Sequence, residues 1–256
     1  MRLFNRRPRI SDQDWSGALT TRSVFDHLSE TEAHQLRILA DGFVRRRQFR
    51  WAGGLEHDES LVVAVAAMAC LPIVNLGLSW YSRWGAVLIV PEDYETDFTE
   101  TDEAGVVHEG TDYASGEYSA YGLIVLSAAD VRRAGHGTGS NVVIHEAVHV
   151  IDARDGSLDG APPLHAGMDA REWTDVFTRA YTDLQDRVVS PRRRRVHRAR
   201  RRASAFDPYA AEAPEEFLAV ASELFFERPL RLRSEYPEVY EQLSTFFGQD
   251  PAAIRQ

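Results

Sequence analysis

The sequence predicts an α+β fold that is mostly helical, with a small β-sheet beside one central helix. Several long segments place apolar residues three or four positions apart, which is the period of a helix with one buried face. Two short apolar runs, Gly85 to Val90 and Gly122 to Leu126, have the length of buried strands. Both runs precede the central helix, so we expect the sheet to pack against it.

We expect one domain over residues 29–256, preceded by an extended N-terminal lead-in over residues 1–28. The lead-in has no periodicity strong enough to predict a helix or a strand. An arginine-rich insertion at 191–202 interrupts the domain, and arginine dominates the stretch from Arg192 to Arg202. Such a run resembles a nucleic-acid-binding patch, but the net charge of the chain is -10. We therefore interpret it as an exposed insertion and expect no nucleic-acid partner.

Capping signals predict where the first two helices begin. Ser29 and Glu32 have the spacing of a capping box, in which each side chain binds the other residue's backbone N–H group. This box predicts a helix that ends near Arg47. Asp58 is a good N-cap for a second, strongly apolar helix that continues through Ala69.

Residues 92–118 are acidic and rich in turn-forming residues, and we interpret them as a solvated loop or hairpin. A calcium site, or a rim that repels acidic substrates, is the alternative. After the second strand Ser127 begins a short helix, and a glycine-rich segment at 135–139 leads to the central helix near 141–153. The remaining predicted helices lie near 169–188, 214–227 and 236–247.

Composition excludes several classes of protein. Hydrophobic residues make up 44% and charged residues 27% of the 256 residues, which is typical of a globular protein. The single cysteine, Cys70, cannot form an internal disulfide, and we expect a cytoplasmic location. The longest apolar run, at 61–74, is shorter than the roughly 18–20 residues that a membrane span requires, so no membrane partner is expected.

The central helix carries the pentapeptide HEAVH at residues 145–149. Residues four apart lie on one face of a helix, so His145 and His149 project toward one point, as two corners of a tetrahedral zinc site require. Glu146 lies beside the first histidine, where it can reach a metal-activated water rather than the metal. This arrangement is typical of zinc-dependent hydrolysis of peptide bonds.

A third protein ligand must come from elsewhere in the chain. Asp155 lies six residues after the second histidine, but Asp152 stands where the returning turn would need a glycine, so Asp155 is a weak candidate. The other common arrangement takes a glutamate from a later helix. Three glutamates qualify there: Glu215, Glu216 and Glu223. Glu216 and Glu223 share a face, so one can bind metal while the other orients a histidine, and spacing leaves the choice open.

Three longer stretches carry a family resemblance. They run from Asn141 to Asp152, from Gly160 to Pro163 and from Asp207 to Val220, with shorter matches at Cys70–Ile73, Leu88–Pro91, Ser222–Phe226 and Tyr236–Tyr240. Together they resemble the Mlc titration factor A (MtfA) family of bacterial zinc peptidases, which is distantly similar to the catalytic domain of anthrax lethal factor. The likeness covers nearly the whole chain beyond about residue 25.

The resemblance implies a zincin-like fold of the gluzincin type that holds one zinc ion (Zn2+) per chain. Carried over residue by residue, it implies the zinc ligands His145, His149 and Glu216. It implies that Glu146 is the catalytic base. Tyr209 matches the family's tyrosine seven residues before the ligand glutamate, and this match implies a second catalytic residue at the zinc site.

Two further features bear on the resemblance. Asp152 matches a family aspartate, and we expect it to be a partner of a ligand histidine. The arginine run at 192–202 departs from the family pattern, so we expect it to affect access to the cleft or the choice of partner.

We therefore expect a cytoplasmic zinc metallopeptidase that acts on a peptide or protein substrate. The resemblance further suggests an aminopeptidase that cleaves short peptides. The alternative is a regulatory protein that binds a transcriptional repressor, with zinc mainly structural. The repressor for which the family is named, the glucose-responsive Mlc, has no residue motif that can be located in this chain.

Overall fold

The computed structural model describes residues 10–91, 94–101, 107–114, 116–118, 122–189 and 204–253. Its helices are α1 (Asp12–Thr20), α2 (Glu30–Arg46), α3 (Glu59–Cys70), α4 (Ala128–Arg133), α5 (Val142–Asp152), α6 (Ala170–Val189), α7 (Pro214–Glu227), α8 (Pro229–Glu235) and α9 (Pro237–Phe247). Its strands are β1 (Gln48–Trp51), β2 (Ala86–Val90), β3 (Tyr94–Thr101), β4 (Val107–Ala114), β5 (Gly116–Tyr118) and β6 (Leu123–Ser127). The mostly helical α+β architecture matches the prediction.

The main sheet has four strands in the order β1-β2-β6-β5. The first three strands are parallel, and β5 runs antiparallel to β6 at one edge. Strands β2 and β6 are the two apolar runs expected from the sequence, and their alternate residues are buried. Strands β3 and β4 form a separate antiparallel hairpin within 92–118, as one reading of that acidic segment predicted.

The predicted caps are present in the structure. The Ser29 side chain accepts a hydrogen bond from the Glu32 backbone, and the Glu32 carboxylate accepts one from the Ser29 backbone, so the capping box is complete. Asp58 caps α3 by accepting from the backbone N–H groups of Ser60 and Leu61. Ser127 caps α4 through the backbone of Asp130. The three capping residues therefore lie at the starts of α2, α3 and α4, as their sequence context predicted.

The interior is organised around α3, which is buried from Leu61 to Cys70. Helix α5 packs against α3 on one side and α7 on another, and it also contacts β5 and β6 of the sheet. Burial raises the pKa of the Cys70 thiol, so this cysteine behaves as a core residue. The site-bearing helix is thus held by packing on several sides.

The prediction of an extended lead-in is wrong for residues 12–20, because these residues form α1. Ser11 caps this helix by accepting a hydrogen bond from the Asp14 backbone. Within α1 only Ala18 is buried, so the segment lacks the apolar period that would have predicted a helix. Contact with α3 and the buried side chain of Ile10 hold the segment on the core. A domain boundary at residue 29 stays a prediction.

Two further elements were not predicted. Strand β1 follows α2 almost directly, and it contains Gln48 and Arg50, so it offers little apolar signal; its parallel pairing with β2 defines it. Helix α8 has a single buried residue, Leu232; it begins at Pro229, and Pro237 begins the next helix. Both elements depend on tertiary contacts rather than on a local pattern.

The predicted arginine-rich insertion at 191–202 lies outside the described residues. The same is true of the first nine residues and of Glu92, Asp93, Asp102 and Glu103 in the acidic segment. In the part of the chain that is described, no helix combines the length and apolar character needed to cross a bilayer.

Candidate metal centre

Helix α5 presents the two histidines of the pentapeptide on its inner side. Asn141 caps the helix, since its Oδ1 accepts a hydrogen bond of 3.2 Å from the Ile144 backbone. The first helical hydrogen bond runs from the His145 backbone N–H to the Asn141 carbonyl, at 3.0 Å. His149 lies one turn further on, and the two imidazole rings meet edge to face with centroids 4.7 Å apart.

Glu216 on α7 completes a cluster with these histidines. The Nε2 atoms of His145 and His149 are 3.0 Å apart. His145 Nε2 lies 3.1 Å from Glu216 Oε2, and His149 Nε2 lies 3.4 Å from Glu216 Oε1. Within the described residues this is the one group of three or more potential ligand side chains that could hold a metal ion.

The spacing of these atoms fits a tetrahedral metal ion. Ligand nitrogens and oxygens lie about 2.0–2.2 Å from zinc, so adjacent corners of a regular tetrahedron lie about 3.3–3.6 Å apart. The observed separations of 3.0–3.4 Å are close to these values. Two imidazoles and one carboxylate are also the donor set of open catalytic zinc sites, which leave a fourth position for water or substrate. The residues present therefore fit the metal.

Glu223, two turns after Glu216 on α7, orients the first histidine. Its Oε1 lies 2.8 Å from His145 Nδ1. This contact turns His145 Nε2 toward the cluster and, with an Nδ1–H donor, makes the ring a better metal ligand. The structure thus separates the two glutamates that spacing could not, with Glu216 in the cluster and Glu223 behind a histidine.

Hydrogen bonds within the cluster shift the pKa values of two of its members. Burial disfavours a charged His145, but hydrogen bonds with Glu216 and Glu223 outweigh burial and raise the pKa of His145 well above its usual value. Burial also opposes ionisation of Glu216, yet hydrogen bonds from His145 and His149 hold the pKa of Glu216 well below its usual range. An ionised Glu216 suits a cation, whereas metal binding would have to displace a proton from His145.

Glu146 lies beside the cluster with no hydrogen-bond partner for one of its oxygens. The residue is 2% exposed, and its Oε2 is unpartnered among the described residues. Burial raises the pKa of Glu146, while the electrostatic influence of the neighbouring histidines opposes that rise. An unpartnered buried carboxylate oxygen is costly unless a ligand, a water molecule or a proton satisfies it.

Tyr209 reaches the site from a separate segment. It belongs to a 3-10 turn, Pro208–Ala211, which Asp207 caps just before α7. Its ring lies 6.2 Å from that of His145 between centroids, and burial together with the charge of Glu216 and a hydrogen bond to it raises the pKa of the phenol. Tyr209 is 45% exposed, and the raised pKa keeps its hydroxyl protonated beside Glu216.

Asp152 does not make the hydrogen bond to a ligand histidine that we expected. Its Oδ2 accepts from the backbones of Asp159 and Gly160, at 3.1 and 2.8 Å, while its charge acts on His149 at longer range. Burial raises the pKa of Asp152 to about 6, against the hydrogen bond from Gly160. A Cβ at Gly160, where φ is +78°, would lie 2.7 Å from the Pro214 carbonyl. Asp152 thus holds a turn that abuts the start of α7.

Two weaker ligand candidates lie outside the cluster. Asp155 is engaged with the backbone and hydroxyl of Ser157, and Glu215 is not among the clustered side chains. Our sequence reasoning missed Glu227, a buried carboxylate at the end of α7. Its spacing of eleven from Glu216, which is three helical turns, could have indicated it.

Comparisons with known proteins agree with this geometry. The family model described as "Glucose-regulated metallo-peptidase M90" matches residues 2–248. A protein named Mlc titration factor A from Klebsiella pneumoniae subsp. pneumoniae is 30% identical over 246 residues, which is 96% of this chain and 89% of that protein. Its namesake from Cronobacter sakazakii is 29% identical over 247 residues, covering 96% of this chain and 90% of that protein.

Replacing Glu216 should weaken metal binding. Loss of a residue that hydrogen-bonds to a metal ligand typically lowers metal affinity about 10–100-fold. Glu216→Ala removes a proposed ligand itself, so we expect it to lower zinc affinity by more than about 100-fold. Competition with a chromogenic chelator measures this change. Glu215→Ala, one residue away on the same helix, is the matched control and should bind zinc as the wild type does. Equal affinity in both variants would exclude Glu216 as a ligand.

Proposed function

The chain belongs to the glucose-regulated metallo-peptidase M90 family, and from this premise we propose that it hydrolyses peptide bonds with zinc as its cofactor. Its mostly helical α+β fold, with the small sheet beside α5, is the zincin-like fold that the sequence predicts. One observation carries the proposal. Three ligand atoms from His145, His149 and Glu216 lie at tetrahedral spacing, next to the unpartnered carboxylate oxygen of Glu146.

In the proposed reaction the site residues have separate tasks. One zinc ion per chain, held by His145, His149 and Glu216, would polarise the substrate carbonyl and lower the pKa of a water molecule to about 7. The Glu146 carboxylate takes a proton from the attacking water and later gives it to the departing amine. Burial suits Glu146 to this task, because a raised pKa makes its carboxylate a stronger base.

Tyr209 would act on the other side of the reacting carbonyl. Its phenol remains protonated, since burial and the neighbouring Glu216 raise its pKa. A neutral O–H group beside the cluster can donate a hydrogen bond to the oxygen that becomes negative as water adds. We assign Tyr209 this stabilising role.

The finer proposal is an aminopeptidase that acts on short peptides in the cytoplasm. The resemblance carried by Asp207 to Val220 and by the pentapeptide supports the substrate class. The single free thiol of Cys70 supports the location, since unpaired cysteine is typical of reducing compartments.

A second function is favoured by the name of the relatives, Mlc titration factor A. As the alternative to the peptidase, we propose a regulatory protein that binds a transcriptional repressor. In this alternative zinc is mainly structural, because it links α5 to α7. Peptide hydrolysis is then not the function of the protein.

Glu146→Gln should abolish hydrolysis while leaving metal binding intact. A general base typically contributes 10²–10⁴-fold, so we expect kcat/KM to fall by about that factor. The assay uses short peptides with free or acetylated amino ends, and only the free-amine peptides should be cleaved by the wild type. Glu215→Gln is the matched control. If Glu146→Gln keeps wild-type turnover, the catalytic proposal is wrong.

Tyr209→Phe tests the proposed stabilisation of the oxyanion. Removing one such donor typically lowers kcat 10²–10³-fold, and we expect a fall of about that size with KM nearly unchanged. Tyr236→Phe removes a hydroxyl that binds Asp183 instead, at 2.9 Å, and should leave kcat unaltered. A rise in KM without a fall in kcat would assign Tyr209 to substrate binding rather than to stabilisation.

The regulatory function predicts binding that does not require turnover. Wild type and Glu146→Gln, used as immobilised baits, should retain a transcriptional regulator from the host with equal affinity, because the substitution removes no surface charge outside the site. Quantitative binding of the purified regulator to both baits measures this. Absence of binding to the wild type would remove the second function and leave the peptidase proposal untouched.

A further inference from the structure

Glu227, the last residue of α7, is a buried carboxylate that the proposed reaction does not use. It is 6% exposed. Its Oε1 accepts hydrogen bonds of 2.8 Å from the Gly135 backbone and from Asn141 Nδ2, and its Oε2 accepts one of 2.7 Å from the Gly137 backbone. These three donors are uncharged. A buried anion held by neutral donors depends on all of them, so the contacts are strongly coupled.

The segment before α5 is shaped to enclose this carboxylate. Gly135 and Gly137 have φ values of +90° and +73°, which turn their N–H groups toward Glu227. A Cβ at Gly135 would lie 2.7 Å from Cδ of Arg22, so a larger residue would not fit there without movement. Backbone N–H groups two residues apart that converge on one carboxylate form a concave anion site. Here the anion is supplied by the chain itself.

Helix α5 depends on α7 for negative charge at its start. Its first turn contains no acidic residue, although a helix N-terminus is stabilised by nearby anions. Glu223 and Glu227 supply that charge from α7. The Glu223 Oε2 atom accepts the Asn141 backbone N–H, while Glu227 accepts the Asn141 side chain. Asn141, which is 1% exposed, is therefore held by two carboxylates of one neighbouring helix.

Asn141 connects these carboxylates to the metal cluster. Its carbonyl accepts the backbone N–H of His145, and its side chain caps α5, so it fixes where the helix begins and how it is rotated. The same Glu223 that binds Asn141 also binds His145 Nδ1. A shift of Asn141 would therefore move His145 relative to Glu216 on α7.

We propose that Glu227 is a positioning residue for the metal centre, which sets the start and rotation of α5 and thereby the distance between His145 and Glu216. It acts through Asn141 and touches neither metal nor substrate. The inference rests on the proposed function, because it requires that the cluster bind zinc. It assigns to Glu227 a role in metal affinity in addition to any contribution to stability.

The test compares Glu227→Gln with the corresponding substitution of a buried carboxylate elsewhere in the fold. Glutamine keeps the size of the side chain but turns one acceptor oxygen into an N–H donor, so a backbone N–H of the glycine segment loses its acceptor. Asp41→Asn on α2 is the matched control. Asp41 is 9% exposed, accepts a hydrogen bond from the Ile10 backbone and pairs with Arg45. Both variants should unfold at lower temperature than the wild type.

The deciding measurement is the zinc dissociation constant of the folded full-length variants, with zinc alone as the ligand and a chelator as competitor. We expect Glu227→Gln to raise the constant about 10-fold or more, as for other partners behind metal ligands, and Asp41→Asn to keep the wild-type value. A zinc dissociation constant of Glu227→Gln within about twofold of the wild-type value would overturn the inference. An equal rise of the constant in both variants would overturn it too. Wild type that binds no zinc would instead refute the proposed function.

A second variant covers the case in which Glu227→Gln does not fold. Asn141→Ser keeps a good N-cap for α5 but removes the amide N–H group that donates to Glu227. We expect a rise of the zinc dissociation constant in the same direction, about 3-fold to 10-fold, with α-helical circular dichroism unchanged. An unchanged constant in Asn141→Ser would overturn the link between Glu227 and the cluster.

Discussion

The packing of α7 against α5 is the contact on which the site depends. Three carboxylates of α7, spaced seven and four residues apart, lie on one stripe of that helix. Glu216 meets both histidines, Glu223 holds His145, and Glu227 holds the segment before α5. Buried carboxylates without partners are costly, so a different register of the two helices would leave several of them unsatisfied. The polar contacts therefore specify the same arrangement that the apolar core stabilises.

Sequence reasoning predicted what is encoded locally. The capping box at Ser29 and Glu32 acts within one turn, and the spacing of His145 and His149 alone places them on one face of a helix. The choice of Glu216 as the third cluster member came from a resemblance, because several glutamates of α7 satisfied the spacing. The structure adds the missing three-dimensional information, namely which carboxylate faces Nε2 and which faces Nδ1.

What could not be predicted depends on contacts between distant segments. Helix α1 and strand β1 carry weak apolar patterns and are defined by α3 and β2. Asp152 was expected to face a histidine, yet the backbone of Gly160 competes for its carboxylate. Glu227 was missed because the sequence of its partners, Gly135 and Gly137, indicates only a glycine-rich segment that leads to the central helix. In each case the deciding neighbour lies elsewhere in the chain, where periodicity carries no information.

X-ray absorption spectroscopy at the zinc K edge of the zinc-loaded protein tests the central claim most directly. A site built by α5 and α7 should show two imidazole nitrogens and two oxygens, one from Glu216 and one from solvent, all about 2.0–2.2 Å from the metal. Glu216→Ala should remove the carboxylate oxygen from this zinc coordination shell. A sulfur scatterer at about 2.3 Å, or a zinc shell without imidazole, would contradict the account, because it would place the metal away from His145 and His149.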